Sequence, residues 1–337
     1  MAIMAPVAVS QTVDIVAGTK LSVSIEATAL MHVACITAWG ESPKYLEVPA
    51  PESPDPETDN VQVRVKAAAV HKLVHLRASG RHYSAKSLPH IPGVDGIGVT
   101  SAGNEVYFFT FGENSGSYAE VVNISRQNLF TLPSGADRLQ IAGLVNPAMS
   151  SWMALRRRTI TLPEKFTVLI LGATTISGIL AAPIARQLGA GKVIGCARNQ
   201  EKLDTLGLDQ TIRLCDPATA TDFSCVPHVD IILDYLYGPP AAHFLGSLKT
   251  SCLVQYINIG DVASPHMTLH SKVARSSKIM MSGAGVGSWS INELREEMPK
   301  LLRVMTTLTP QSLNVLPLSK IETAWDPTSA HRTIFVP

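Results

Sequence analysis

The chain predicts a mixed α/β protein in which a doubly wound, six-stranded parallel sheet is joined to a β-rich, loop-rich region. Three observations lead there. Six short apolar runs follow one another between residues 166 and 283, most of them separated by enough chain for a crossover helix, which is how a parallel sheet covered on both faces reads. Residues 61–122 instead alternate strictly or form Gly-rich short strands, without helix-length periodicity. The length, 337 residues, exceeds what one core usually organises, so two domains are expected.

Bulk properties narrow the class. Apolar residues make up 46% of the chain and charged residues 16%, enough to build a sizeable core. Lys and Arg number 28 against 27 Asp and Glu, and no basic stretch is long enough to track a phosphate backbone, so nucleic acid is not an expected partner. No run approaches the ~18 apolar residues of a membrane span. The opening MAIMAPVAVSQTVDIVAG has neither the positive n-region of a signal peptide nor the arginines of a transit peptide. Cys35, Cys196, Cys215, Cys225 and Cys252 form no C-x-x-C pair, which fits reduced thiols and a cytoplasmic setting.

In chain order, residues 1–30 read as an extension, and VACITAWG (33–40) as the first proper strand and turn. PAPESPDPETDN (49–60) is a surface loop by its Pro and acidic density, and VQVRVKAAAV (61–70) a half-buried strand. After PSGAD (133–137), a helix is expected from Asp137, interrupted at Pro147. The six strands follow: FTVLILG (166–172), KVIGCA (192–197), QTIRLC (210–215), VDIILDY (229–235), CLVQYIN (252–258) and KIMMSG (278–283). SLNVLPLSKIETAWDPTSAHRTIFVP returns to short strands, which makes the β-rich domain discontinuous. The expected division is 1–30 as extension, 31–145 with 305–337 as the β-rich domain, and 146–304 as the parallel-sheet domain.

The stretch LILGATTISGILAAPIARQLGAGKVIGCARN (169–199) has the strand, turn, helix and strand of a dinucleotide-binding unit. In such a unit the pyrophosphate lies over the helix N-terminus, and glycines admit it to backbone N–H groups. In G-x-G-x-x-G register the turn reads Ala173, Thr174, Thr175, Ile176, Ser177, Gly178, with Gly172 just ahead, so only the last glycine survives. A β-branched Thr175 either pushes the phosphate outward or offers its hydroxyl as a replacement donor. Pro183 removes a donor from the following helix. Some twenty residues past Gly178 the second strand ends in Arg198 and Asn199, followed by Lys202, where an NAD site wants an acid. A guanidinium there suits a 2′-phosphate and favours NADPH.

These residues carry a resemblance. With AWGESPKYLEVPAPE, RASGRHYS (77–84), LPHIPGVDGIG (88–98), GSYAEVV (116–122) and RSSKIMMSGAGVGS (275–288), the chain resembles the medium-chain dehydrogenase/reductase superfamily, in its zinc-independent quinone oxidoreductase-like branch. The resemblance implies a GroES-like β-barrel domain plus a Rossmann domain with the active site in the cleft between them. It also implies hydride transfer from NADPH to a small apolar or conjugated carbonyl substrate such as a quinone or enone, and, by resemblance alone, a homodimer. The family's three zinc-ligand positions fall on His71, Val94 and Asn146, too few donors for a catalytic zinc, so no metal is expected. Reduction creates an enolate or hydroquinone anion, for which a hydrogen-bond donor is wanted; His71, Tyr83 and Asn146 are the candidates. Ile259, Gly260 and Gly283 would bring backbone groups to the nicotinamide amide, while Met267, Trp289 and Trp152 would line an apolar pocket. His75 and His82 read as surface or loop residues, and Asp95 as structural. The degraded turn leaves two other readings open: a repurposed enzyme catalysing cyclisation, isomerisation or elimination, or an NADPH-binding protein without turnover.

Overall fold

The computed structural model describes residues 9–15, 19–25, 29–82, 85, 87–111, 116–226, 228–325 and 332–337. The chain divides into two compact units, Met1–Gly143 with Gln311–Pro337, and Leu144–Pro310.

The first unit is β-rich. The extension carries a hairpin, β1 (Val9–Ile15) and β2 (Thr19–Ile25), paired antiparallel from Val9↔Ile25 to Ile15↔Thr19, so strands begin well before residue 33. β3 (Leu30–Cys35) pairs antiparallel with β4 (Lys44–Pro49). A larger mixed sheet is built around β5 (Asn60–Ala69), with β6 (Asp95–Thr100), β7 (Glu105–Phe109), β8 (Val121–Ser125) and β9 (Leu129–Thr131). Strict alternation in β5 buries Val63 and Val65 against Val33, Phe108 and Ile124. A seven-residue helix, α1 (Lys72–Ala78), interrupts this region. The expectation of a purely strand-and-loop domain missed it because the segment is too short for a period-3.6 stripe to show.

The second unit holds the parallel sheet. α2 (Arg138–Arg157) leads into it and starts where Asp137 accepts from Leu139 N (2.9 Å) and Gln140 N (3.1 Å). α2 runs unbroken through Pro147, contrary to the expected interruption; a proline removes one backbone bond but need not end a 20-residue helix. The strands are β10 (Thr167–Leu171), β11 (Lys192–Ala197), β12 (Gln210–Arg213), β13 (Ile231–Asp234), β14 (Val254–Asn258) and β15 (Ile279–Gly283). All pair parallel, in the order β12-β11-β10-β13-β14-β15. The order reverses between β10 and β13, where open α/β sheets place their ligand crevice. α3 (Ile176–Gln187), α4 (Gln200–Asp204), α5 (Gly238–Ser247) and α6 (Ser271–Ser276) lie on connections between strands, and α7 (Ile291–Met305) follows β15. Leu169, Leu171, Ile194, Ile232, Phe244 and Tyr256 fill one buried layer against the sheet. The chain ends with β16 (Leu313–Pro317), α8 (Ile321–Ala324) and β17 (Arg332–Val336), and β17 pairs antiparallel with β5 in the first unit.

One ion cluster ties α7 to α2. Glu297, 1% exposed, accepts from Trp152 Nε1 (3.0 Å), Arg156 Nε (3.2 Å), Arg157 (2.9 Å) and Lys300 Nζ (2.9 Å). Trp152 is therefore buried in a polar cluster, and the expectation that it lines a substrate pocket is corrected. Burial pushes the Glu297 carboxyl up, but hydrogen bonds from Arg156, Lys300 and Trp152 together outweigh it and bring it down to about 2. Since the unfolded value is about 4.3, the lowered folded value gives stability that is fully present above that pH and fades as pH falls towards 2. Glu297→Ala should cost on the order of 3 kcal/mol in urea unfolding at pH 7. That difference should shrink at pH 3; a pH-independent difference would show that packing rather than charge holds the cluster.

Candidate active site

In the first unit, His71 stands at the junction of β5 and α1. The strand end is pinned from three sides: Val70 N donates to Thr333 O (2.9 Å), Tyr118 OH to Ala69 O (3.0 Å), and Arg332 to Val70 O. His71 is then the residue preceding the helix, in extended conformation and 5% exposed. Its Nε2 lies 3.0 Å from Asp95 Oδ1, and Asp95 Oδ2 accepts from Tyr107 OH (2.8 Å). Asp95 opens β6 and Tyr107 sits on the neighbouring β7, so a cross-strand diagonal brings the two together. Burial, then the Asp95 charge, raises the Tyr107 hydroxyl well above its usual range, so it stays protonated and donates. With both Asp95 oxygens engaged, the carboxylate, structural by its sequence context, also holds His71.

His71 Nδ1 is buried without a partner. An unsatisfied buried polar atom costs about 1–3 kcal/mol, so it marks a position that a ligand can complete. Of the other two family zinc positions, Val94 is fully buried and offers no donor, and Asn146 is a half-buried amide on α2 in the second unit. This donor set does not fit a catalytic zinc, which needs three protein ligands. Among the described residues, no group of three or more His, Cys, Asp or Glu could hold a metal ion. Tyr83 lies outside the described residues.

In the second unit, the turn after β10 is shaped by two glycines. Gly172 has φ +89°, and a Cβ there would sit 3.0 Å from Leu236 Cδ2. A Cβ on Gly178 would meet Gly172 O at 2.3 Å, so α3 lies directly on the strand end. Between them Thr175 has φ −69°, a conformation open to any residue, and is the N-cap of α3. Its hydroxyl donates to Gly172 O (2.8 Å) and accepts from Gly178 N (3.0 Å). Of the two alternatives for Thr175, its hydroxyl is not free to donate to a phosphate, because its proton is engaged inside the turn. The backbone N–H groups of Thr174, Ile176 and Ser177 have no partner among the described residues. They head a 12-residue helix, the arrangement that favours an anion.

Gly172 N and Ala173 N both donate to Cys196 O (2.8 and 3.2 Å), which sets the end of β11 beside this turn. Arg198 follows two residues later, exposed and without an ion pair among the described residues; Lys202 is likewise exposed. Asn199 Oδ1 accepts from Lys202 N (2.9 Å) and caps α4, so its side chain is committed. A dinucleotide with a 2′-phosphate fits these residues: free N–H groups at a helix start, a close glycine contact and two uncompensated cations.

Across the reversal point, Asp234 organises the facing wall. Its carboxylate accepts from Leu236 N (2.8 Å), Tyr237 N (3.0 Å) and Tyr256 OH (2.5 Å), and its carbonyl from Ile259 N (2.7 Å) and Gly260 N (3.1 Å). The N–H groups of Ile259 and Gly260 are therefore engaged, and Gly283 O accepts from Arg158 Nε (2.8 Å). The Ile259 carbonyl has no hydrogen-bond partner among the described residues, which leaves it available to a nicotinamide amide. Met267 is half-buried against the sheet core, and Trp289 is buried. Asp234 itself was legible only as the polar end of an apolar run.

Comparison with known proteins agrees with this layout. No family model matches the chain. It is 35% identical, over 91% of its length and all of the relative, to a protein of Emericella nidulans named as a probable NADPH-dependent quinone reductase, tdiC. Among solved structures, a quinone oxidoreductase of Pseudomonas syringae shares the fold with a TM-score of 0.73 at 22% identity, covering 91% of this chain and 100% of that one. A mycobacterial protein complexed with NADPH shares it with a TM-score of 0.71 at 15% identity, with the same coverage. The fold is thus a GroES-like β domain with a Rossmann domain, and the chain belongs to the medium-chain dehydrogenase/reductase superfamily, in its quinone oxidoreductase-like branch.

Proposed function

We propose that the protein is an NADPH-dependent, zinc-independent reductase of quinones, enones or related conjugated carbonyl compounds. The observation that carries the cofactor reading is the set of free N–H groups at Thr174, Ile176 and Ser177 beside the unpaired Arg198. Bound NADPH supplies a hydride, and the protein's part is to orient, exclude water and meet the developing charge. Ala173 to Gly178 would receive the pyrophosphate, and Arg198 with Lys202 the 2′-phosphate. The backbone around Ile259, Gly260 and Gly283 would face the carboxamide, with the Ile259 carbonyl as acceptor.

At the reacting end, His71 is the proposed donor to the substrate oxygen. Asp95 fixes the ring through Nε2, which leaves Nδ1 as the atom that meets the ligand; when protonated it donates to an enolate or hydroquinone oxygen. The Asn146 amide is a second donor, without a charge. The missing glycine that favoured a non-redox reading has its own account in the cap made by Thr175.

NADPH should bind at least tenfold more tightly than NADH, and Arg198→Ala should lose about 1.5–3 kcal/mol for NADPH alone, which narrows the gap. Calorimetric titration measures both, and equal affinities in the unmutated protein would sink the cofactor assignment. Thr175→Ala should lower stability by about 1 kcal/mol in denaturant unfolding, whereas Thr175→Gly should cost only a few tenths. Tighter NADPH binding by the glycine variant would mean that the threonine side chain crowds the phosphate.

A further inference from the structure

Arg77 carries a charge that has no counter-ion among the described residues. It lies in the last turn of α1, half-buried, with Nε sealed from solvent and without a partner. No hydrogen bond or ion pair reaches its side chain among the described residues. Burial alone pushes the guanidinium below its usual range. A helix C-terminus favours a cation, but by a small fraction of what removing a guanidinium from water costs. Left as it stands, the arrangement is unfavourable; a bound anion would complete it.

The surroundings suit a small planar anion. Gly80, at φ +72°, returns the chain past Trp39, whose Cδ2 would lie 3.0 Å from a Cβ there. The rings of Trp39 and His90 are tilted at 43° to each other with centroids 6.2 Å apart. His90 is locked by paired backbone bonds with Ile36 (3.0 and 2.7 Å), and its Nε2 is also buried without a partner. Burial, then the Arg77 charge, brings the His90 imidazole down to about 4, so at neutral pH the ring is uncharged. His82, lowered by the same two causes, follows from a chain segment tied back to α1 by His82 N to Leu76 O (3.1 Å). One cation among neutral imidazoles and an aromatic wall matches a single negative charge. A guanidinium fork recognises a planar oxyanion best.

We propose that Arg77 and His90, flanked by His82 and Trp39, form a binding site for an ionised oxygen carried by the acceptor substrate, a carboxylate or the enolate of a hydroxyquinone. This rests on the reductase reading and names the substrate class it leaves open: anionic rather than neutral quinones. Arg77 is a specificity residue here, since the reduction itself asks nothing of it.

The test compares 2-hydroxy-1,4-naphthoquinone, ionised at neutral pH, with neutral 1,4-naphthoquinone. Calorimetric Kd values and NADPH-dependent kcat/KM are measured on the full chain and on Arg77→Met, Arg77→Lys and His90→Gln. Arg77→Met should weaken the ionised quinone at least tenfold more than the neutral one, about 1.4 kcal/mol, with the loss in KM rather than kcat. Arg77→Lys should recover part of that ratio, and His90→Gln should lower it several-fold. Tm of Arg77→Met should equal or exceed that of the unmutated protein, because no internal partner is lost; if that variant fails to fold, the other two still report the ratio. Equal losses for both quinones, or none, would overturn the site. Arg77-dependent binding of the ionised quinone without NADPH oxidation would keep the site and remove the reductase reading.

Discussion

The crevice at the carboxyl edge of the parallel sheet depends on the buried carboxylate of Asp234. Five hydrogen bonds converge on this one residue, three on its side chain and two on its carbonyl, and they fix the loops after both β13 and β14. Tyr237 has φ 56°, a left-handed conformation that costs a side-chain-bearing residue on the order of 1–3 kcal/mol and persists only where the surroundings impose it. Its N–H bond to Asp234 is part of that imposition. Leu236, held by the same carboxylate, is the residue that a side chain on Gly172 would strike. The turn after β10 and the wall opposite it are thus shaped by one set of contacts.

Charge is handled in two opposed ways in this molecule. Glu297 is nearly inaccessible and surrounded by Arg156, Arg157, Lys300 and the indole of Trp152, so every lone pair has a use inside the protein. Among the described residues, Arg198, Lys202 and Arg77 have no such arrangement. For the two exposed cations water is an adequate partner, and their meaning comes from standing beside free N–H groups. Arg77 is different, because its Nε is shut off from water. Proteins retain unfavourable groups of this kind where function requires them, and stability is lost in exchange. A compensated charge such as Glu297 argues for architecture; an uncompensated one argues for a ligand.

The sequence made the parallel sheet legible because each strand buried on both faces is a near-continuous apolar run, and all six runs became neighbours. The turn and Arg198 were legible for the same reason, since their spacing follows from the strand-helix-strand unit. What stayed hidden depended on contacts between distant residues. His71 and Asp95 are 24 positions apart and Asp95 and Tyr107 a further 12, and only cross-strand register reveals that the three share a face. Likewise His90 and Arg77 lie on a loop and a helix with no common period. α1 was too short for its pattern to show, and the helix expected from Asp137 continues through Pro147 because tertiary packing overrides the local signal.

The turn GATTISG shows why a fingerprint read letter by letter misleads. A dinucleotide turn asks for three separate things: one residue at positive φ, one place where helix and strand nearly touch, and backbone N–H groups left free to donate. Only the first two require glycine, and here they fall on Gly172 and Gly178. The third depends on which N–H groups the fold has already used. At the position read as a lost glycine, Thr175 takes up the N–H of Gly178, which the helix start would otherwise leave orphaned, and leaves those of Thr174, Ile176 and Ser177 available. Counting glycines scores this turn as damaged, whereas counting donors scores it as competent. The donor count is the quantity that a phosphate responds to.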